Sequence, residues 1–374
     1  MSLNNTKKTK ILVVDDSAFM RKALTIMIES DPSLEVIGSA RDGNEAIEKV
    51  ESLNPDIVTL DVEMPRMDGL EALKSIMESN PVPVLMVSSM TNEGAGATLD
   101  ALELGAIDFI PKKLSYVSLD ILKIKEELLS KIKHIANRKH VLMARYKCAK
   151  AFQTASNMTT TITPPPITHN ESRSKFIKKY AGKLSHPINI ITIGCSTGGP
   201  MALQQIIPAI PPSIPSPIII AQHMPETFTA SLAERLNSLS KINVKEAEDN
   251  EPVEIGTVYI APGGKHLLVK RNGAKAIINL STEPEDNLYK PSIDIMMNSI
   301  AESYGKYSLG VILTGMGQDG LEGVRTIKEK GGVIIAQDED SCVVYGMPKV
   351  IIEAGLSDHI SPLDNVANEI ADYF

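Results

Sequence analysis

Short, almost wholly apolar runs alternate along this chain with longer stretches in which apolar residues recur every three or four positions. Five such alternations lie between residues 10 and 128. "KILVVDD" precedes an amphipathic stretch over 18–30, "EVIGSA" precedes "GNEAIEKVESL", and "DIVTLD" precedes "GLEALKSIMES". "PVLMVSS" then leads into "GATLDALELG", and "AIDFIPK" into "LDILKIKEELLSKIK". The apolar runs are rich in β-branched residues and have no polar face, which predicts strands covered on both sides of a parallel sheet. The longer stretches have the period of helices with one buried face. Five β-then-α units predict a doubly wound α/β domain over 8–128, a flavodoxin-like (βα)5 arrangement.

The alternation stops after that. "KIKHIANRKHVLMARYKCAK" is basic, and its first part can prolong the preceding helix; "TASNMTTTITPPPITHNESRSK" is rich in Thr, Ser and Pro with few apolar anchors. Residues 129–187 therefore read as a flexible linker. From 188 to 374 the pattern resumes. "INIITIG", "PIIIAQ", "VYIAP", "SLGVILTG" and "GGVIIAQ" predict strands, and helical patterns follow "GGP", "HMPETF", "KPSID", "GQDG" and "YGMP". "HLLVKRNGAKAIINL" differs: two strands meet at an Asn-Gly turn, the signal of an antiparallel hairpin. A second doubly wound α/β domain with an added hairpin is expected.

Composition narrows the classes of function. The net charge is -8 and no long basic run occurs, which argues against a nucleic-acid partner. Aromatic residues are 4% with no Trp, too few for base-stacking platforms. No apolar stretch approaches the ~20 residues of a membrane span, and "MSLNNTKKTK" lacks a signal-peptide core. Cys148, Cys195 and Cys342 are too scattered for a disulfide framework or a zinc site. A cytoplasmic protein, by default a monomer, is expected.

In open α/β sheets ligands bind beyond the carboxyl ends of the strands. The first domain places Asp15 and Asp16 after its first strand, Asp61 at the end of the third, Ser88 after the fourth and Lys112 after the fifth. Each aspartate alone could cap the next helix. Together, clustered carboxylates call for a cation, and hard oxygen ligands suit Mg²⁺. A carboxylate beside such a cation and a lysine can accept a phosphoryl group.

"ILVVDDS", "DIVTLDVEMPRMDGL", "VLMVSS" and "GAIDFIPK" resemble the receiver domain of two-component response regulators. The resemblance implies Asp61 as phospho-acceptor, with Mg²⁺ held by Asp15, Asp16, Asp61 and the carbonyl of Glu63. It implies Ser88 as the switch hydroxyl, Lys112 as the phosphate-pairing lysine, Phe109 as the switch aromatic and a histidine kinase as phosphodonor. The family usually has Pro after that lysine; here it is Lys113, which puts the usual cis bond in question, since a non-proline cis bond costs about 2.5–4 kcal/mol.

In the second domain "NIITIGCSTGGP" runs from a strand into a glycine-flanked serine, and "GCSTG" fits the G-x-S-x-G of a nucleophile elbow. The same loop could instead cradle a phosphate, or Ser196 or Thr197 could cap the following helix. A serine nucleophile needs a base and an orienting carboxylate. His223 follows "PIIIAQ" on the same sheet edge, and His266, after "APGGK", could also approach; His186 and His359 have less context. "VILTGMGQDG" brings Asp319 on a glycine-rich loop whose N–H groups could hold an oxyanion, although Asp319 could simply cap the next helix. The chain order Ser, His, Asp differs from the α/β-hydrolase order Ser, Asp, His.

"IGCSTGGP", "AQHMP", "APGGKHLL" and "LTGMGQDG" resemble the catalytic domain of the chemotaxis protein-glutamate methylesterase (CheB) family, and receiver, linker and catalytic domain in this order resemble its architecture. The resemblance implies Ser196 as nucleophile, His223 as base, Asp319 as its orienting carboxylate and the backbone N–H of Met316 in the oxyanion hole, with no cofactor in this domain. Phosphorylation-activated hydrolysis of glutamate methyl esters on chemoreceptors, and deamidation of glutamines there, would follow, with an unphosphorylated receiver covering the Ser196 edge. The competing reading is a response regulator whose second domain only binds a phosphate or nucleotide.

Overall fold

The computed structural model describes residues 8–112, 120–156, 186–273 and 275–374. The first part contains β1 (Thr9–Val14), α1 (Ala18–Glu29), β2 (Leu34–Ala40), α2 (Gly43–Leu53), β3 (Ile57–Asp61), α3 (Gly69–Ser79), β4 (Val84–Ser88), α4 (Asn92–Glu103), β5 (Asp108–Pro111), α5 (Asp120–Asn137) and α6 (Lys139–Ser156). Its five strands lie in the order β2-β1-β3-β4-β5. β1 pairs in parallel with both β2 and β3, and Ile11, Leu12, Val13 and Val14 are all fully buried. The gap between β1 and β3 is where the strand order reverses, the place at which such sheets bind ligands.

The chain over 129–156 is helical rather than an extended linker. α5 runs on to Asn137 because Leu128, Ile132 and Ile135 recur at helical spacing and are buried. α6 follows and buries Leu142 and Met143. These basic stretches have high helix propensity as well as an apolar stripe, and the stripe outweighs the compositional signal of a linker. The Thr, Ser and Pro-rich remainder, 157–185, lies outside the described residues, as does Lys113 with its peptide bond.

The second part contains β6 (Ile190–Cys195), α7 (Gly199–Ile206), β7 (Ile218–Gln222), α8 (Glu226–Leu239), β8 (Asn243–Glu246), β9 (Thr257–Ile260), β10 (His266–Asn272), β11 (Lys275–Ser281), α9 (Ile293–Tyr304), β12 (Ser308–Ile312), α10 (Leu321–Glu329), β13 (Val333–Gln337), α11 (Met347–Glu353), β14 (His359–Ser361) and α12 (Val366–Ala371). Seven strands form a sheet in the order β14-β13-β12-β6-β7-β9-β8, and every neighbouring pair is parallel. The five strands predicted here are its centre. β8 and β14 were not predicted: they are short edge strands with mostly half-exposed residues, so they lack the continuous apolar run of a central strand.

The hairpin is present. β10 and β11 pair antiparallel from His266 opposite Ser281 to Asn272 opposite Lys275. Gly273 takes up a φ of 65° on leaving β10, a conformation that glycine adopts without steric cost. The Ser299 hydroxyl on α9 donates to the Met296 carbonyl and accepts the N–H of Val269, and Ser303 donates to the Val269 carbonyl, which ties hairpin to helix. The strand order of this sheet reverses between β6 and β12, so the loops leaving those strands border its ligand-binding crevice.

Candidate active site and acidic pocket

Ser196 follows β6, His223 follows β7 and Asp319 lies between β12 and α10. The three side chains meet. His223 Nδ1 lies 3.2 Å from Ser196 Oγ, and His223 Nε2 lies 2.8 Å from Asp319 Oδ2. A serine, an imidazole and a carboxylate in sequence can deprotonate the hydroxyl and stabilise the imidazolium that results.

Backbone contacts across the crevice hold the serine in place. Its N–H donates to the Thr314 carbonyl at 3.0 Å, and its carbonyl accepts from Gly199 N–H at 2.7 Å and from Gln222 Nε2 at 3.0 Å. The His223 N–H donates to the Cys195 carbonyl at 3.2 Å, coupling the two loops. Thr314 is itself fixed: its N–H reaches Gln337 Oε1 at 2.7 Å, and its hydroxyl donates to the Thr197 carbonyl at 2.9 Å. Gly315 accepts from Gly346 and Met347 N–H groups at 3.1 and 2.9 Å. A Cβ at Gly315 would stand 2.9 Å from Ser196 Cβ, so only glycine fits this approach. Met316, the proposed oxyanion donor, is the next residue.

The capping alternatives for these residues are not what is found. The residue that caps α7 is Gly198, which makes no side-chain bond. The residue that caps α10 is Gly320, likewise without one. Asp319 instead caps α9: Oδ2 accepts from Ile293 N–H at 2.7 Å, and Oδ1 from Asp294 N–H at 3.0 Å and Ser292 Oγ at 3.1 Å. Burial acts to raise its pKa, but the bond to His223, the charge there and these backbone donors outweigh it, and Asp319 is held down at about 2. It is ionised whenever the imidazole needs it.

Other candidates separate from the site. His266 is fully buried; its Nδ1 accepts the Ser292 N–H at 3.2 Å, and burial lowers its affinity for a proton. It supports the start of α9 rather than Ser196. Cys195 is buried beneath the serine, and burial pushes its thiol well above the usual range, so it is not a competing nucleophile. Sequence reasoning missed Tyr289, whose ring stacks on His223 at 4.1 Å between centroids and 5° between planes. It also missed Gln222, Thr314 and Gln337. Their roles depend on pairings between distant loops, for which no local motif exists.

In the first domain Asp15, Asp16 and Asp61 each offer a carboxylate oxygen within 4.8 Å of the others. Here too the capping alternative is not found. Ser17 caps α1 by accepting from Met20 N–H, and Asp68 caps α3 by accepting from Glu71 N–H. Asp15 Oδ1 accepts from Ser17 N–H at 2.9 Å, and Asp61 Oδ1 from Glu63 N–H at 3.3 Å. Arg21 Nη1 donates to the carbonyls of Asp15 and Asp16, fixing that turn. Three hard anionic oxygens at this spacing fit a small divalent cation. Ser88 ends β4, and its carbonyl accepts the Lys112 N–H at 2.7 Å; its hydroxyl donates to the Gly94 carbonyl at 3.1 Å. Phe109 is buried on β5.

Comparison with known proteins agrees with both halves. The CheB methylesterase family profile matches residues 191–370, and the response regulator receiver domain profile matches residues 11–121. A protein-glutamate methylesterase/protein-glutamine glutaminase of Oleidesulfovibrio alaskensis is 49% identical over 365 residues, covering 96% of this chain and 98% of that protein. The chain belongs to the CheB methylesterase family. A relative of the same name from Pyrococcus abyssi is 45% identical over 367 residues, covering 97% of this chain and 93% of its own. The crystal structure of the Thermotoga maritima CheB methylesterase catalytic domain matches with a TM-score of 0.49 and 44% identity, over 50% of this chain and 100% of that one. As a member of this family the chain is a hydrolase that carries a receiver domain. Among the described residues no helix is long and apolar enough to cross a membrane.

Proposed function

We propose that this CheB-family hydrolase uses Ser196, His223 and Asp319 to cleave glutamate methyl esters on chemoreceptors, and to deamidate glutamines there, under control of phosphorylation at Asp61. The observation that carries the reading is the unbroken sequence of contacts from Ser196 Oγ through His223 to Asp319. His223 Nδ1 takes the hydroxyl proton as Ser196 Oγ attacks the ester carbonyl. Nε2 keeps its proton and donates it in a hydrogen bond to Asp319, which stabilises the imidazolium. The Met316 N–H stabilises the tetrahedral oxyanion; one such donor is worth about 3–4 kcal/mol. His223 then protonates the methoxide oxygen as its bond to the carbonyl carbon breaks, so that methanol leaves, and water cleaves the acyl-serine by the reverse proton path. Glutamine follows the same route with ammonia leaving.

In the receiver, Asp15, Asp16, Asp61 and the Glu63 carbonyl would hold Mg²⁺, whose charge would neutralise the phosphoryl oxygens. Asp61 is the acceptor for a histidine kinase's phosphoryl group, Lys112 pairs with the phosphate, and Ser88 and Phe109 relay its presence. Phosphate at Asp61 would shift the receiver between two arrangements, of which only one leaves the Ser196 edge open to a helical substrate. The enzyme would act in the cytoplasm, where such receptors present their modified helices.

The test is methanol release from receptor membranes carrying labelled methyl esters, with and without Mg²⁺ and acetyl phosphate. Release by the wild type, raised by acetyl phosphate, is expected; Ser196→Ala should abolish it, and Asp61→Asn should remove only the increase. No release from folded, phosphorylated wild type would overturn the reading.

A further inference from the structure

Two carboxylates cross between the N-termini of α9 and α10. Asp319, ahead of α10, accepts N–H groups from Ile293 and Asp294 in the first turn of α9. Asp294 returns the bond: its Oδ1 accepts from Gly320 N–H at 2.9 Å and from Gly323 N–H at 2.8 Å. Gly320 is the residue directly after Asp319. Each helix start is therefore capped by a carboxylate from the other, and the one that faces His223 has its backbone held by its counterpart. A Cβ at Gly323 would stand 2.6 Å from Met297 Cβ and 3.2 Å from Asp294 Cα, so the two helices meet closely at this point.

We propose that Asp294 is a positioning residue for the hydrolytic site: it fixes Asp319 against His223 through the backbone of Gly320 and Gly323, and its negative charge strengthens the hold of that pair on a proton. The inference rests on the Ser196, His223 and Asp319 reading above. Two features make the charge matter. First, Asp294 is about half-buried, and burial together with the neighbouring Asp319 charge raises it to about 6, so it changes charge just below neutral pH. Second, among the described residues few other charges reach this point. Asp319 faces Asp294 from the loop before α10, with His223 beyond it. His266, at the start of β10, meets the same helix end through Ser292 and is disposed to be neutral, with Lys290 acting on it. On α10, Glu322 and Arg325 pair with each other at 3.4 Å. β6 and β12 meet Ile293 with Gly194 and Ile312.

The sign follows. With Asp294 ionised, a second negative charge lies behind the Asp319 carboxylate and favours the positive charge that His223 acquires as Ser196 attacks. Removing it must lower kcat, and must take away the part of the acid limb of kcat that comes from proton uptake by Asp294 near pH 6. Asp294→Asn tests this, because its amide oxygen can still accept from Gly320 and Gly323. Using the full chain and methyl-esterified receptor membranes, Asp294→Asn should lower kcat about three- to tenfold with KM unchanged, and move the acid limb down by about one pH unit. Its thermal midpoint should stay near wild type. If the asparagine variant fails to fold, Asp294→Ser supplies a short acceptor in the same turn and is read the same way. An unchanged limb and kcat, or a rise in KM alone, would overturn the proposal while an inactive Ser196→Ala left the triad standing. An active Ser196→Ala would instead overturn the triad reading itself.

Discussion

His223 presents Nδ1, not Nε2, to Ser196, and gives Nε2 to Asp319. The shared proton inventory follows from this: the neutral ring must carry its hydrogen on Nε2 for Nδ1 to accept from the serine. Asp319→Asn would break that assignment, because an amide can offer its own N–H to Nε2 and leave the hydrogen on Nδ1, facing the nucleophile. We expect kcat to fall about 10³–10⁴-fold in Asp319→Asn, with substrate affinity little changed. Single-turnover methanol release checks this; a fall below tenfold would mean that Asp319 does not set the tautomer.

Tyr289 stacks almost parallel on the His223 ring, with 4.1 Å between centroids. The stack restrains the imidazole and favours the imidazolium formed as the serine is deprotonated; aromatic contacts of this kind are worth about 0.5–1.5 kcal/mol. Tyr289→Ala should therefore lower kcat about two- to tenfold, and Tyr289→Phe, which keeps the ring, should stay near wild type. Steady-state kinetics on both variants decides it. Equal losses in the two would assign the effect to the hydroxyl instead.

Gly198 sits two residues after Ser196 with a φ of 77°, and a Cβ there would lie 2.6 Å from Val343. The loop carrying Val343 also holds the Gly315 side of the crevice, since the Val344 carbonyl accepts the Gly315 N–H at 3.1 Å. Gly198→Ala must thus strain its own backbone, by about 1–2 kcal/mol, and displace that loop. Gly256 has a similar φ of 75° with nothing within 4 Å, so Gly256→Ala isolates the backbone cost. We expect both to lower the thermal midpoint, with Gly198→Ala lower than Gly256→Ala and alone in losing most activity.

Much of this was legible in the sequence. The central strands of both sheets are continuous apolar runs, and the chemistry-bearing residues stand directly at their carboxyl ends, so periodicity and one topological rule locate Asp15, Asp61, Ser196 and His223. Motifs with local spacing, such as "GCSTGG" and "GQDG", add Asp319. What escaped is non-local or marginal. β8 and β14 are edge strands without an apolar run. The helix over 139–156 was hidden by a basic composition although Leu142 and Met143 are buried. Tyr289 and Asp294 act across loops far apart in sequence, and a lone Tyr or a helix-start Asp looks the same whether it faces solvent or a catalytic residue.

The two carboxylates behind His223 make opposite contributions to stability as pH changes. Asp319 is depressed to about 2, so the stability it adds is fully present above its ordinary value of 3.8 and is lost as pH falls through about 2. Asp294 is raised to about 6, so its contribution runs the other way: proton uptake favours the fold as pH drops below about 6, and that gain is lost as pH rises through 6. Asp319→Asn removes the first contribution and also the charge that raises Asp294. Urea midpoints measured from pH 7 down to about pH 2 should therefore show the wild type above Asp319→Asn at pH 4–7, with the gap widening as pH falls below about 6 and Asp294 takes up its proton, then narrowing below about 3.8 as Asp319 begins to take up its own. Convergence at higher pH, near 6, would mean that Asp319 takes up its proton there and that the bonds from His223, Ile293 and Asp294 do not hold it ionised.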